Sequence, residues 1–541
     1  MLRLNASRIL VSDTPLAGTM VKDYMKRKSE VMNWISVPPS LPEIRSFRSR
    51  RAQHPVDRKI LHEALIDQYA GLELRNEPVH DSVRSNIDAL LQQKTFTVTT
   101  GHQLQVAGGP LFFTYKILSI VRLARELNDL DRDFHHVPVF WMATEDHDME
   151  EVRSFRAIGK TYSWDTSWSG AAGRASTDGM DLLLSELSSE LKNLPYGPEI
   201  AGILEASYRS GELLSMSTRI LVNRLFGRFG VVVLDADHPS LKRSAIPVFN
   251  DELLHRSAEA KVNETIGKQS AYGEPQVRPR PVNLFYLTET ERNRIEAAPE
   301  GFKLTDTDRH FSFEEMTRLL HSHPERFSPN VLLRPVYQEL ILPNLAYVGG
   351  PSEVAYWLEL KSLFDHHGVS FPAILLRNCF LFLDRPTMRR IEKQGWEDRY
   401  LLEDHASWVR DAIRRAASAN DPFPVADSKV ELIFKELQEV LTATDPTLSA
   451  SVQAELQKTR KGLQHLQEKF LRAVKRGEEA TLEQLQRLDE AVRPGGSFQE
   501  RSESLVTFYA RYGEEFIDAV LENCIPANDS LTILRDTVPK D

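Results

Sequence analysis

The period of the apolar positions changes several times along this chain, and each change predicts an element. Residues 1–90 carry mostly helix-spaced apolar positions, broken by a Pro-rich stretch at 37–42 and including a charged helix at 57–74. From residue 95 the pattern becomes a β-rich run, TFTVTT, then a glycine loop, an amphipathic helix over 111–128 and a second apolar run, HVPVFWMATEDHD. Strand, helix, strand predicts a βαβ unit, whose parallel sheet takes its ligand beyond the carboxyl ends of the strands. GVVVL at 230–234, LAYVG at 345–349 and AILLRNCFLFL at 373–383 predict further core strands.

The long intervals between these strands read as insertions with structure of their own: a Trp/Ser/Gly-rich stretch, TYSWDTSWSGAAG, lies within 155–220, and a Pro-rich one, YGEPQVRPRPVNLFYL, within 250–330. Beyond residue 385 the chain turns charged and Gln/Leu-rich. Val452, Leu456, Thr459, Leu463, Leu466, Phe470 and Ala473 alternate steps of four and three, the a/d seam of a coiled coil, and LEQLQRLDEAV repeats the pattern. A helical hairpin or a dimerising arm follows. The predicted organisation is a mostly helical N-terminal segment of the core (1–90), an α/β parallel-sheet core in three pieces (91–154, 221–249 and 331–384), two insertions (155–220 and 250–330), a coiled-coil domain (385–495) and a helical C-terminal segment that docks on the core (496–541).

Composition narrows the function classes. The formal charge of -10, from 67 basic and 77 acidic residues, offers no basic excess for nucleic acid. Cys379 and Cys524 are the only cysteines, too few for a disulfide framework or a CxxC zinc site, and Cys379 reads as an inert packed residue. No stretch approaches the ~20 apolar residues of a membrane span. With no apolar leader at the N-terminus, the expectation is a cytoplasmic protein without membrane, nucleic-acid or metal partners.

Twice a strand-like run breaks at Gly-Gly-Pro and passes into a helix, at Gly108-Gly109-Pro110 and at Gly349-Gly350-Pro351. Helix N-termini present unpaired N–H groups, so two such ends predict an anion site. Thr100, Gly101, His102 and Gln103 follow the first strand. They contact a ligand, or His102 caps a helix in an ordinary turn. Glu145, Asp146, His147 and Asp148 end the next apolar run and are the candidate catalytic cluster, able to bind an amine, act as a base or, as the weakest of the three, hold a divalent metal; a solvated strand-end loop is the alternative. Strand alternation would put Asp146 and Asp148 on one side and Glu145 and His147 on the other. Arg334, Gln338 and Glu339 punctuate an apolar run, as a substrate clamp or an Arg334–Glu339 pair. Glu353 and Tyr356 follow the second junction. Lys116 reads as a solvated helix charge. Asp235 and Asp237, after GVVVL, repeat the strand-end idea in what is also a plain turn. Arg501 and Tyr509 share an aromatic, guanidinium-bearing stretch that stacks a nucleobase or simply packs. The chain has no GxxxxGK[ST], GxGxxG, GxSxG or HExxH.

The blocks TTGHQLQVAGGPLFFTYKILSIVRLA, VPVFWMATEDHDMEEV and RPVYQELILPNLAYVGGPSEVAYWLELK resemble the bacillithiol biosynthesis cysteine-adding enzyme family, nearly end to end. His102 departs from it, since members often carry Gln there. The resemblance implies a Rossmann-like core similar to class I aminoacyl-tRNA synthetases, with two connecting insertions and a coiled-coil domain that forms a homodimer. It also implies the last step of bacillithiol synthesis, in which cysteine is joined to the amine of glucosaminyl malate. Activating the cysteinyl carboxylate makes ATP or another nucleotide the expected co-reactant. The competing expectation is a coiled-coil scaffold whose α/β domain binds a nucleotide or acidic metabolite without turnover.

Overall fold

Five short apolar runs pair into one all-parallel sheet in the computed structural model, which describes residues 4–418 and 421–537. In chain order the strands used below are β1 (Leu4–Leu10), β2 (Thr95–His102), β3 (His135–Met142), β4 (Val232–Asp235), β5 (Asn344–Gly349), β6 (Ala373–Leu376), β7 (Cys379–Leu383) and β8 (Ser530–Asp536). The central sheet has the order β6-β5-β2-β3-β4. Its strands are buried almost throughout because helices cover both faces, as in α/β folds generally.

Side-chain alternation gives the two faces different jobs. Phe96 and Val98 of β2 join Ala346 and Val348 of β5 in one apolar layer, closed by Ile120, Leu123 and Leu127 of α1 (Leu111–Leu130). On the other face Thr97 and Thr99 donate to Asn344 Oδ1 at 3.2 and 2.9 Å. The remaining core helices needed here are α2 (Ile246–His255), α3 (Leu333–Ile341), α4 (Pro351–Leu358) and α5 (Lys361–His367).

Three expectations from sequence change. The run at 373–383 is two strands: it breaks at Arg377 and Asn378, so that β6 ends the parallel sheet while β7 joins β1 and β8 in a separate three-stranded sheet. The two chain ends are therefore not purely helical, since β1 and β8 pair antiparallel. Finally, β3 stops at Met142, and Glu145 to Asp148 lie in an irregular turn where strand alternation does not apply. The second insertion holds a five-stranded antiparallel sheet that includes Leu284–Leu287 and Arg292–Ala298.

The residues before Asp384 and after Gly496 form one compact unit; Asp384–Gly496 form the other. The second unit is helical, comprising α6 (His405–Ser418), α7 (Phe423–Thr444), α8 (Leu448–Gly477) and α9 (Glu479–Val492) among others. α7 and α8 make an antiparallel hairpin, with Arg460 paired to Asp427 and Gln453 bonded to Gln438. The first part of the heptad seam of α8 thus pairs within the chain, burying Val452 and Leu456, while Leu466 farther along it stays exposed. No helix among the described residues is long and apolar enough to cross a membrane.

Candidate functional site

The chain leaves β2 toward β3 on one side, whereas β5, its other neighbour, arrives much later. That reversal opens a crevice at the carboxyl ends of β2 and β5, the usual ligand position in such sheets. A cavity of about 690 Å³ lies there, within the first unit. Gly101, His102 and Gln103 border it from the end of β2; Glu145, Asp146 and His147 from the turn after β3; Arg334 from α3; and Gly350, Glu353 and Tyr356 from the start of α4. Arg501 reaches it from the C-terminal segment.

The charges divide into paired and unpaired groups. Lys116, on α1, is not solvated as its sequence position suggested. It is buried, donates to the Gly101 carbonyl and lies 2.7 Å from Glu353 Oε2. Glu353 also accepts from the Gly350 N–H at 2.8 Å and from Tyr347 Oη at 2.6 Å. Burial disfavours its charge, but Lys116 and these donors outweigh that and hold the carboxyl down at about 2. The anion at the second Gly-Gly-Pro helix start is therefore the protein's own. Arg377 is likewise matched, by a bidentate bond to Glu500 at 2.8 and 2.7 Å.

Arg334 differs. Its guanidinium donates to Gln338 Oε1 at 3.1 Å and Tyr356 Oη at 2.9 Å, both neutral, and no carboxylate among the described residues pairs with it. The expected Arg334–Glu339 pair is not formed, because Gln338 stands between them: Gln338 Nε2 and Asn344 Nδ2 both donate to Glu339 Oε1 at 2.8 Å. Burial pushes Glu339 up to about 7. A polar chain thus runs from the sheet through Glu339 and Gln338 to a half-buried cation that faces the cavity without a counter-ion.

The acidic turn splits up. Asp146 accepts from Gln103 at 2.7 Å and from the His147 N–H at 2.8 Å. Burial raises its pKa, yet these bonds and nearby Arg292 outweigh that and leave it well below the usual carboxylate range. Arg292, from the second insertion, donates to His147 Nδ1 at 2.9 Å and stacks on Phe285. Glu145 pairs with the buried Lys242. Asp148 leaves the site: it is exposed and caps the short helix Met149–Val152, accepting from the Glu151 N–H at 3.3 Å. His102 borders the cavity with Nε2 against Gln105 Oε1 at 3.1 Å; burial and the charge of Lys116 press its pKa down to about 3, so the ring is neutral.

Other candidates are structural. Thr100 Oγ1 donates to the Val348 carbonyl at 2.7 Å, and Gly349, Gln338 and Glu339 do not border the cavity. Asp235 accepts from Thr144 at 2.6 Å, while Asp237 holds Arg174 at 2.8 Å. Tyr509 donates to Glu199 at 2.5 Å, away from the cavity. The first junction also lies outside: the N–H of Leu111, opening α1, donates to the Glu503 carbonyl at 2.7 Å. Cys379 is packed, its thiol pushed up to about 12 by burial. Sequence reading missed Arg292, Arg377 and the role of Lys116. A lone lysine inside LFFTYKILSIV and an arginine inside AILLRNCFLFL were the available signals for two of these.

Comparison with known proteins decides the family. Residues 5–378 match "Bacillithiol biosynthesis BshC, N-terminal Rossmann-like domain", and residues 380–535 match the C-terminal coiled-coil domain of the same family. The chain belongs to the bacillithiol biosynthesis BshC family. A "Putative cysteine ligase BshC" of Flavobacterium johnsoniae is 36% identical over 523 residues, 95% of this chain and 97% of the relative. The Flavobacterium psychrophilum protein of that name is 35% identical, again over 95% and 97%. A Bacillus thuringiensis relative is 26% identical over 538 residues, covering 95% and 98%. The BshC coiled-coil match runs to 535, although the residues after Gly496 pack with the first unit. The Rossmann-like fold class and a place in bacillithiol biosynthesis follow from this membership.

Proposed function

We propose that the cavity joins cysteine to the amine of glucosaminyl malate, the last step of bacillithiol synthesis. Arg334 carries the reading. A guanidinium fork with only neutral partners, at the carboxyl end of a parallel sheet, suits a carboxylate or phosphate in bidentate contact. The relatives' printed name, cysteine ligase, agrees with that chemistry.

Forming an amide from a free carboxylate requires an activated acyl group, and ATP or a similar phosphoryl or adenylyl donor supplies the activation when bound. The cavity volume falls within the range of small-molecule sites. Attack by the neutral sugar amine forms the C–N bond and places negative charge on the acyl oxygen; as the C=O re-forms, the activating group leaves with its electron pair and the nitrogen gives up one proton to solvent. Arg334 is positioned to hold that anionic end. Asp146, kept ionised by Gln103 and His147, suits the cysteine ammonium better than the base role expected of it, because a general base works best with a pKa near the operating pH.

Purified protein given cysteine, glucosaminyl malate and ATP is expected to yield bacillithiol by mass spectrometry; no product across varied nucleotides and metals rejects the ligase. The homodimer belongs to the same proposal. α7 leaves Leu432, Ile433, Leu437 and Val440 exposed, and a second copy would cover them. A monomer in sedimentation analysis rejects that part.

A further inference from the structure

Away from the cavity, three metal-type ligands from two core helices gather in one place. Asp251 sits on α2, and His366 and His367 occupy the last turn of α5 before Gly368 ends it with a left-handed cap. Among the described residues this is the only group of three or more His, Cys, Asp or Glu side chains whose ligand atoms gather so closely, all within 4.8 Å of one another. None of the three borders the cavity described above.

The arrangement is more than a histidine resting on a carboxylate. His366 Nε2 lies 3.1 Å from Asp251 Oδ2, an ordinary contact. His367 Nε2 points at the same oxygen but stops at 4.0 Å, although its side chain is only 7% exposed. That nitrogen is buried and has no hydrogen-bond partner among the described residues. Native interiors rarely leave such an atom unsatisfied, and an ion between the three groups would satisfy it. Ser257 Oγ donates to that same oxygen, Asp251 Oδ2, the kind of hydrogen bond that orients a metal-binding carboxylate. The end of a helix, where carbonyl oxygens accumulate negative charge, also favours a cation.

We propose that Asp251, His366 and His367 form a binding site for a divalent transition ion of the zinc class. Two imidazoles and a carboxylate are a donor set for such ions rather than for magnesium or calcium, which take oxygen ligands. With metal–ligand bonds of about 2.0 Å, tetrahedral ligand atoms lie about 3.3 Å apart. The 3.1 Å contact already meets that spacing, and the remaining ligand atoms, all within 4.8 Å of one another, would draw in by about an ångström or more on binding. The ion would clip the middle of α2 to the end of α5, with its fourth position open to water. The cysteine-based expectation of no metal does not bear on this site, because it uses no thiolate.

Cobalt(II) titration of the chelator-treated full-length protein tests the site. One equivalent per chain should produce a visible d–d absorption that zinc(II) displaces, and zinc should raise the thermal midpoint. His367→Gln should abolish the absorption, and His366→Ala, at a more exposed position, should weaken cobalt affinity at least about tenfold. Circular dichroism of the metal-free variants should match the parent. No saturable absorption in the parent protein overturns the proposal, as does cobalt affinity left unchanged by His366→Ala.

Discussion

The two Gly-Gly-Pro junctions share a sequence but not a role. At the first, Ala107, Gly108 and Gly109 have φ of 54°, 77° and 58°, so the glycines serve a tight left-handed turn. The helix that follows has its first N–H taken by Glu503. At the second, Gly350 has φ of -73°, and glycine is needed for close approach: a Cβ on Gly349 would come within 2.8 Å of Glu353 Cβ. Only this junction borders the cavity. A motif that signals a helix start says nothing about what will cover it.

The strongest way to sharpen that contrast is Arg334→Ala, beside the second junction. Losing a charged donor to a developing anion costs roughly 10²–10³-fold in rate. The same loss of kcat/KM in bacillithiol formation is expected, with an unchanged far-ultraviolet spectrum. A variant within a factor of two of the parent would remove Arg334 from the chemistry.

Glu353→Gln should break the second junction itself by leaving Lys116 buried without its partner, at about 3 kcal/mol in urea denaturation. The effect must depend on pH. The folded value of Glu353, about 2, lies below its ordinary 4.5, so its contribution is present above 4.5 and is lost as pH falls toward 2. The gap between parent and variant should therefore narrow between neutral pH and about pH 3. A gap independent of pH would contradict the pairing.

Glycine replacements separate the junctions further. Gly109→Ala meets a positive φ and places Cβ 2.1 Å from Gln105 Oε1, predicting a loss of roughly 2 kcal/mol. Gly350→Ala has neither problem, since its nearest neighbours are Glu353 Oε2 at 3.5 Å and Arg377 Nε at 3.7 Å. It should cost at most about 1 kcal/mol of stability, the range for putting alanine at a helix N-cap, and act on substrate binding instead. Equal thermal shifts for the two variants would undo the distinction. The smallest expected effect is at His102, whose ring should show no titration by NMR between about pH 5 and 8, an exception to the usual behaviour of histidine.

Much of the core was legible because fully buried parallel strands are continuous apolar runs: β2, β3 and β5 stand out in TFTVTT, VPVFWM and LAYVG. The coiled-coil heptads were equally plain, since a seam repeats along one helix. The site was only partly legible. Gly101, His102, Gln103, Asp146 and Glu353 lie where strands end and helices begin, which local pattern reveals. Arg292 was invisible, because it comes from an insertion strand whose folding over the sheet leaves no local trace. Asp148 misled, because a cap and a catalytic carboxylate look alike in one dimension.

Local periodicity and composition alone established the α/β core, the helical arm and the strand ends on which a ligand site must sit, since these depend on neighbours within a few residues. Tertiary structure decided which charges are matched. Lys116 with Glu353, Arg377 with Glu500 and Arg334 with no carboxylate among the described residues are outcomes of segments far apart in the chain meeting in a low-dielectric crevice, where a counter-ion a few ångströms away determines whether a charge remains to bind a substrate.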